Sequence, residues 1–308
     1  MPTRNQRMEG GIIGLLVGDA LGVPYEFHPA SDMPRFDLIE FEPPAGFRRT
    51  HARIPVGTWS DDGAHALCLL ASLLHRGVLD VEDFARRLIN WRDWGYLAVG
   101  FDVFDVGIQT ERAISNLRAG TPARIAGPSG ERDNGNGALM RSLPLALWHR
   151  GSDAELVADA DAQSCVTHGH LRSRLCCGLY CLWARKTLEG TANPWQAAVA
   201  GMRTIHSLGT AGRRDLDDVI RPDDDPRGTG SGYVLDSLHS ARLAATEETY
   251  ERVVRKAVAL GNDTDTTACI AGGIAGVRFG IDAIPARWRD ALRERNVAMG
   301  LMAQLTAS

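Results

Sequence analysis

The feature that most constrains this chain is a glycine at every fourth position of its first apolar segment. Gly14, Gly18 and Gly22 follow one another at that spacing, in a stretch whose apolar periodicity predicts a helix over residues 6–21. Residues four apart lie on one face of a helix, so this face carries almost no side chains. We therefore expect another helix, or a ligand, to approach it closely.

Helical periodicity continues along the chain, and convincing alternating strand patterns are absent. Further predicted helices cover residues 61–76, 81–94, 107–118, 138–149, 153–167, 170–189, 233–245, 249–260, 265–277 and 285–293. The proline-rich residues 24–58 form either a functional flap or a flexible surface loop. Residues 127–137 are a glycine-rich loop, and residues 208–232, with Asp223–Asp225, are predicted to be a solvated loop. The sequence predicts one all-α domain over residues 1–308, with its loops gathered at one face.

Charge and cysteine usage narrow the function classes. Lys+Arg 34 against Asp+Glu 38 gives a net charge of −4, which argues against a nucleic-acid partner. The six cysteines contain no C-x-x-C pair, a pattern typical of buried thiols in a reducing compartment. No apolar run is long enough to span a membrane. Arg4 and Arg7 precede an apolar segment as in a weak signal peptide, but Glu9 and Asp19 bracket that segment. We interpret it as a first core helix and expect a cytoplasmic protein.

Three short segments carry acidic residues that core helices do not need. They are Asp19 with Glu26, Ser60-Asp61-Asp62, and residues 261–266, which contain Asp263, Asp265 and two threonines. Carboxylates and hydroxyls together form an all-oxygen ligand set, which suits Mg²⁺, Mn²⁺ or Ca²⁺ and disfavours Zn²⁺ or Cu²⁺. Two metal ions that share a water need about this many acidic ligands. Helix capping explains either of the last two segments alone, but their joint occurrence favours a metal site.

The order and spacing of these segments resemble the ADP-ribosylglycohydrolases, metal-dependent all-α enzymes that remove ADP-ribose from modified proteins. The resemblance runs from about residue 9 to residue 288. The matching segments are Gly14 to Gly22 with Glu26, Ser60-Asp61-Asp62, Phe104-Asp105-Val106-Gly107 with Thr110, residues 134–141, Thr167-His168 with His170, Gly232-Tyr233-Val234, and Asp263 to Thr266. The resemblance implies a single compact orthogonal helical bundle with a dinuclear metal site at one face.

The same resemblance implies two Mg²⁺ or Mn²⁺ ions as cofactors. Their ligands would be Ser60, Asp61, Asp62, Asp263, Asp265 and Thr266. Asp105 would be the acid or base near the scissile bond, with Asp62 and Glu26 as further catalytic residues. Glu26 could gate the site or touch a metal. Asp19 is expected to be structural and to bond backbone groups where the glycine face lets two segments meet.

Substrate-binding residues follow from the remaining motifs. They are Asn134, Gly135, Asn136, Gly137, Met140, Arg141, His168 and Tyr233. Backbone N–H groups of Gly135 to Gly137, at a predicted helix start, suit a diphosphate. Arg141 could pair with a phosphate or cover the surface, and His168 could bind substrate or be structural. Tyr233 could stack on adenine or begin a helix in the core.

The segment around Asp105 resembles the branch that reactivates dinitrogenase reductase by removing ADP-ribose from arginine. The expected activity is hydrolysis of the C1″ N-glycosidic bond of an ADP-ribosylated protein, with ADP-ribose as product. The alternatives are another ADP-ribose linkage (serine, a nucleic-acid base or O-acetyl-ADP-ribose) and a non-catalytic ADP-ribose-binding module. The sequence departs from the family at Ser60, where Thr is usual, and at Gly63, where Thr or Ser is common. Residues 96–103 are longer than their counterpart, which bears on the choice of target protein.

Overall fold

The computed structural model describes residues 1–207 and 209–307, and in these residues the regular structure is helical. The α-helices of this part of the chain are α1 (Arg4–Gly22), α2 (Asp61–Arg76), α3 (Val81–Trp94), α4 (Ile108–Arg118), α5 (Leu143–Trp148), α6 (Asp153–Cys165), α7 (Leu171–Leu188), α8 (Pro194–Ile205), α9 (Ala211–Arg214), α10 (Val234–Ala244), α11 (Tyr250–Val258), α12 (Thr264–Phe279), α13 (Ala286–Ala291) and α14 (Arg295–Ala307). Its β-type pairings are isolated bridges, Pro29 with Gly261 and Gly135 with Tyr233. The predicted compact all-α class is confirmed.

Helices α1 and α12 cross antiparallel in the core and touch along their glycines. A Cβ atom on Gly276 of α12 would lie 1.9 Å from the Gly10 carbonyl oxygen, and one on Gly22 would lie 2.4 Å from the Asp265 Cα. No side chain fits at these distances, so the close crossing requires glycine. The expectation that another helix approaches the glycine face of α1 is confirmed. The crossing places the end of α1 against the start of α12.

Asp19 connects the end of α1 to the start of α2. Its two carboxylate oxygens accept hydrogen bonds from the backbone N–H groups of Ser60 (2.9 Å) and Gly63 (2.7 Å). The structural role expected for Asp19 is therefore confirmed. A Cβ on Gly63 would lie 2.7 Å from the Leu16 Cδ2 and 2.9 Å from an Asp19 oxygen, which explains why this chain has glycine there.

The proline-rich residues 24–58 are packed against the bundle rather than extended from it. The segment contains short 3₁₀ turns, among them Ala30–Asp32 and Phe36–Leu38. Ile39 and Ile54 are buried, and the Tyr25 hydroxyl donates to the Glu40 carbonyl oxygen at 2.7 Å. These contacts hold one side of the segment on the bundle and keep Glu26, at its beginning, in a fixed place.

Several predicted boundaries were wrong. α8 and α14 were not predicted, although Trp195, Ala198 and Met202 give α8 a buried stripe at helical spacing. α5 begins at Leu143 rather than at residue 138, because residues 137–141 form turns. The predicted loop 208–232 contains α9 and a π-helical segment, Asp215–Ile220, while Leu208 lies outside the described residues.

The cysteines are free thiols, and all but Cys165 are buried. This placement agrees with the expectation that they fill the core. Of the helices in residues 1–207 and 209–307, none has both the length and the apolar character that crossing a membrane requires.

Candidate active site

The helix crossings bring the acidic segments together at one face. One carboxylate oxygen from each of Asp19, Asp62 and Asp265 lies within 4.8 Å of the others, and the same holds for Glu26, Asp263 and Asp265. These residues come from the end of α1 and the turn after it, the start of α2 and the start of α12. Segments that are up to 246 residues apart (265 − 19) therefore form one cluster of carboxylates.

This cluster fits a bound divalent cation. Asp62 Oδ1 and Asp265 Oδ2 are buried and have no hydrogen-bond partner among the described residues. A buried polar atom without a partner costs about 1–3 kcal/mol. Burial, followed by repulsion from neighbouring carboxylates, raises the pKa values of Asp61, Asp62 and Asp265 well above their usual range. A cation with a preference for oxygen would satisfy both unpartnered atoms and stabilise the ionised forms.

Two hydroxyls complete this cluster. Ser60 Oγ donates to Asp62 Oδ2 at 3.1 Å, and Thr266 Oγ1 donates to the same oxygen at 3.2 Å. Ser60 also caps α2, because its Oγ accepts from the Asp62 N–H at 3.3 Å. Capping and metal binding are thus compatible here, since the helix start holds the oxygen atoms near one point.

Asp105 forms a second group of titratable side chains together with Glu26 and His51. Glu26 is only 2% exposed, and its Oε2 lies 2.7 Å from His51 Nε2. One ligand atom from each of the three residues lies within 4.8 Å of the others. Burial, then the Asp105 charge, raises the pKa of Glu26 to about 11, while burial lowers the pKa of His51. Both shifts favour the uncharged forms of the two side chains.

The Asp105 carboxyl itself is suited to proton exchange near neutral pH. Burial, followed by the nearby Asp263 charge, raises the pKa of Asp105 to about 6. The backbone at Asp105 has φ of 53°, a left-handed conformation that is strained for a residue with a Cβ atom. Such strain is concentrated at functional sites, where the surrounding structure enforces it.

A cavity of about 890 Å³ opens beside these carboxylates. This volume lies within the range of small-molecule sites. Many of the predicted site residues line it. They are Glu26, Asp61, Asp105, Asp263, Thr266, Asn134, Gly135, Asn136, Gly137, Met140, His168 and Tyr233. The structure therefore places most of the predicted catalytic and substrate-binding residues around one space.

The glycine-rich loop is arranged differently from the expected phosphate cradle. The Gly135 N–H donates to Gln109 Oε1 at 2.8 Å, so in this structure it is not available to a diphosphate. The loop is also not at a helix start, because α5 begins only at Leu143. The Asn136 side chain donates to Asp263 Oδ2 at 2.8 Å and thereby connects the loop to the carboxylate cluster.

Arg141 neither covers the surface nor lines the cavity. Its side chain is fully buried and donates to the Gln163 side chain at 3.0 Å and to the Gly137 carbonyl oxygen at 3.2 Å. Burial lowers the pKa of Arg141 to about 10. This placement differs from both sequence-based alternatives: Arg141 holds the substrate loop in position from behind.

His168 and Tyr233 both face the cavity but differ in exposure. His168 is 3% exposed, and its Nδ1 lies 2.8 Å from Thr167 Oγ1. Burial lowers the pKa of His168 to about 3, so the ring is neutral. Tyr233 is 40% exposed, which rules out a core position for its ring and leaves it accessible to a ligand.

Sequence reasoning missed several residues of this cavity or its wall, among them Phe27, His51, Gln109 and Arg112. Gln109 could have been found, because it is a polar residue in the first turn of α4, four residues after Asp105. His51 could not, because it lies in the proline-rich segment without a recognisable spacing to any motif.

Comparison with known proteins decides the family. The sequence model of the family described as ADP-ribosylglycohydrolase matches residues 1–308. The chain belongs to the ADP-ribosylglycohydrolase family. A solved structure titled "ADP-ribosylglycohydrolase-related protein complex" superposes with a TM-score of 0.79 and 31% identity, and the match covers 99% of this chain and 98% of that chain. The resemblance drawn from the motifs is confirmed.

Two curated relatives of this ADP-ribosylglycohydrolase have more specific names. ADP-ribosylarginine hydrolase Tri1 of Pseudomonas putida is 30% identical over 92% of this chain and 73% of its own length. ADP-ribosyl-[dinitrogen reductase] glycohydrolase of Rhodospirillum rubrum is 28% identical over 93% of this chain and 90% of its own length. One of these two relatives is thus named for ADP-ribosylarginine and the other for ADP-ribosylated dinitrogen reductase.

Proposed function

We propose that this family member is a divalent-metal-dependent hydrolase that removes mono-ADP-ribose from arginine residues of modified proteins. One observation carries the proposal: Asp105 lines a cavity together with Glu26 and Asp263. These two carboxylates are grouped with Asp265, and Asp265 and Asp62 each keep a buried, unpartnered oxygen. The names of the relatives favour arginine as the acceptor. The partner is therefore an ADP-ribosylated protein, and the product that leaves the cavity is ADP-ribose.

Two Mg²⁺ or Mn²⁺ ions fit the oxygen ligands of this cluster. The residues that would hold them are Ser60, Asp61, Asp62, Asp263, Asp265 and Thr266. When bound, such ions polarise the ribose hydroxyls and lower the pKa of a coordinated water. The Asn136 amide, which donates to Asp263 Oδ2, fixes the direction of that carboxylate.

Asp105 moves the proton that the reaction needs. Hydrolysis breaks the C1″–N bond, adds the hydroxyl of a water to C1″ and adds a proton to the guanidine nitrogen. With a pKa of about 6, the Asp105 carboxyl can donate to the departing nitrogen and regain a proton from the water. Asp105 lines the cavity in which the substrate would lie.

The rest of the cavity binds the ADP portion. The exposed ring of Tyr233 is available to stack on adenine. The neutral His168 keeps one ring nitrogen for a substrate hydroxyl or phosphate, because the other is paired with Thr167. Arg141 acts as a positioning residue, since it holds Gly137 in the loop that carries Asn134 and Met140.

The test is release of free ADP-ribose from an arginine-ADP-ribosylated protein, with a serine-linked protein in parallel. We expect release from arginine in Mn²⁺ or Mg²⁺ and none in EDTA. Asp105→Asn should lower kcat by about 10²-fold to 10⁴-fold, the usual contribution of a general acid. Asp102→Asn is the matched control, because Asp102 belongs to the same segment but its side chain is 48% exposed, 3.8 Å from Arg53.

Two other outcomes point to the alternatives. Release from serine alone, or from a nucleic-acid base or O-acetyl-ADP-ribose, would keep the family and refute the arginine specificity. ADP-ribose binding without release from any substrate would favour the binding-module alternative. The unpartnered oxygens of Asp62 and Asp265 favour the catalytic alternative, since a module that only binds ADP-ribose has no need of them.

We also propose a cytoplasmic location and a single domain. The free thiols, five of them buried, suit a reducing compartment. Helices α1 and α12 come from opposite ends of the sequence and cross in one core, which supports one domain over residues 1–308. The net charge of −4 again argues against nucleic acid as a partner.

A further inference from the structure

The cavity contains an aromatic side chain to which the proposed chemistry gives no role. Phe27 lines the cavity together with Glu26 and Asp105. Its exposed fraction is 66%, whereas that of the adjacent Glu26 is 2%. A large apolar side chain that is this exposed beside buried carboxylates is available to a ligand.

Phe27 is held in place despite its exposure. Its backbone has φ of 63°, and its N–H donates to the Asn262 carbonyl oxygen at 2.6 Å. The ring centroid lies 5.8 Å from that of His51, which is itself held at 2.7 Å from Glu26. A non-glycine residue with positive φ is strained, and such strain is found where the surrounding structure enforces a functional position. The Phe27 backbone is therefore fixed beside the cavity, and its ring lies next to that of His51.

Phe27 lies close to the proposed acid, Asp105. Its ring is 5.8 Å from that of His51, and one ring nitrogen of His51 lies within 4.8 Å of a carboxylate oxygen of Asp105. An aromatic face attracts a cation through its quadrupole, and the planar guanidinium also stacks on it. An ADP-ribosylated arginine brings such a guanidinium to the scissile bond, whereas a serine linkage brings no charge.

We propose that Phe27 forms the wall of an acceptor subsite on which the guanidinium of the modified arginine stacks, so that this ring selects arginine over serine. The inference rests on the proposed function, because it assigns the acceptor side of the same cavity. Ile108, at 81% exposure, also lines the cavity near Asp105. It offers apolar contact without an aromatic face and therefore provides a matched comparison.

The experiment compares Phe27→Leu, Phe27→Trp and Ile108→Ala with the wild-type protein. The readout is the ratio of kcat/KM for an arginine-linked substrate to kcat/KM for a serine-linked substrate. If the serine-linked substrate shows no turnover, the detection limit of its kcat/KM is used instead. We expect Phe27→Leu to lower kcat/KM for the arginine-linked substrate about 2-fold to 30-fold, the range that a cation–π contact supplies. Phe27→Trp should retain the wild-type value, and Ile108→Ala should lower it less than Phe27→Leu does. Circular dichroism establishes that each variant is folded.

The inference would be overturned if Phe27→Leu left kcat/KM for the arginine-linked substrate unchanged. It would also be overturned if Phe27→Trp lowered this kcat/KM as far as Phe27→Leu does. If the wild-type protein hydrolyses no arginine-linked substrate, the proposed function fails separately. The inference is then decided by calorimetry with an arginine-ADP-ribosylated peptide and with ADP-ribose. The inference requires that the peptide bind more tightly than ADP-ribose does, and that Phe27→Leu remove this difference in affinity. Equal affinities of the wild-type protein for the two would refute it.

Discussion

Replacing Glu26 by glutamine should stabilise the metal-free protein at neutral and alkaline pH. Glu26 is 2% exposed, and burial with the nearby Asp105 charge raises its pKa from 4.5 to about 11. The native state thus keeps a proton that the unfolded chain loses above pH 4.5. A raised carboxyl pKa gives stability that is fully present below the unfolded value and is lost as the pH rises toward the folded value. Glutamine resembles the protonated acid but does not titrate.

The size of the effect follows from one proton. Each pH unit between the two pKa values costs the wild-type protein about 1.4 kcal/mol of unfolding free energy relative to Glu26→Gln. From pH 5 to pH 8, the gap between variant and wild type should therefore widen by about 4 kcal/mol. Both pH values lie between 4.5 and the folded pKa of about 11, so the change should be linear in pH.

Urea unfolding in EDTA, followed by circular dichroism at pH 5, 6.5 and 8, measures this gap. Glu42→Gln is the control, because Glu42 lies in the same proline-rich segment but its side chain is 67% exposed. Parallel pH dependence of wild type and Glu26→Gln would refute the argument, since it would mean that Glu26 is ionised in the native metal-free protein. In Mn²⁺ the wild-type protein should gain stability, because the ion binds the native state only.

Three further results are expected. Asp62→Asn should abolish the rise in melting temperature that Mn²⁺ gives the wild-type protein, measured by differential scanning fluorimetry. Gly18→Ala should prevent folding or lower the melting temperature strongly, because its Cβ would lie 2.0 Å from the Ala268 carbonyl oxygen. Gly300→Ala is the control, because no neighbouring group lies within 4 Å of a Cβ atom at that position. Tyr233→Ala should weaken ADP-ribose binding by about 1–3 kcal/mol in calorimetry, the value of base stacking on an aromatic ring; an unchanged affinity would exclude stacking.

The fold class and the carboxylate cluster could be predicted because both depend on spacing along the chain. The four-residue repeat of glycines in α1 determines which face another helix can approach, and the helix starts at Ser60 and Asp263 place acidic residues at predictable positions. The joint order and spacing of the motifs identified the family, which the comparisons confirmed. Helix boundaries were less predictable, because the turns at residues 137–141 shorten α5.

The sequence by itself determined that the chain is helical, that glycines permit one very close helix crossing, and that oxygen ligands are available for a hard cation. Only the tertiary structure decided how those side chains are used. It buried Arg141 behind the substrate loop, gave the Gly135 N–H to Gln109, and placed His51 against Glu26. The bonds of Gly135 to Gln109, of His51 to Glu26 and of Arg141 to Gln163 each join residues at least 22 apart in the chain. Periodicity fixes which face of a helix is buried, but the partner across that face depends on how the whole bundle packs.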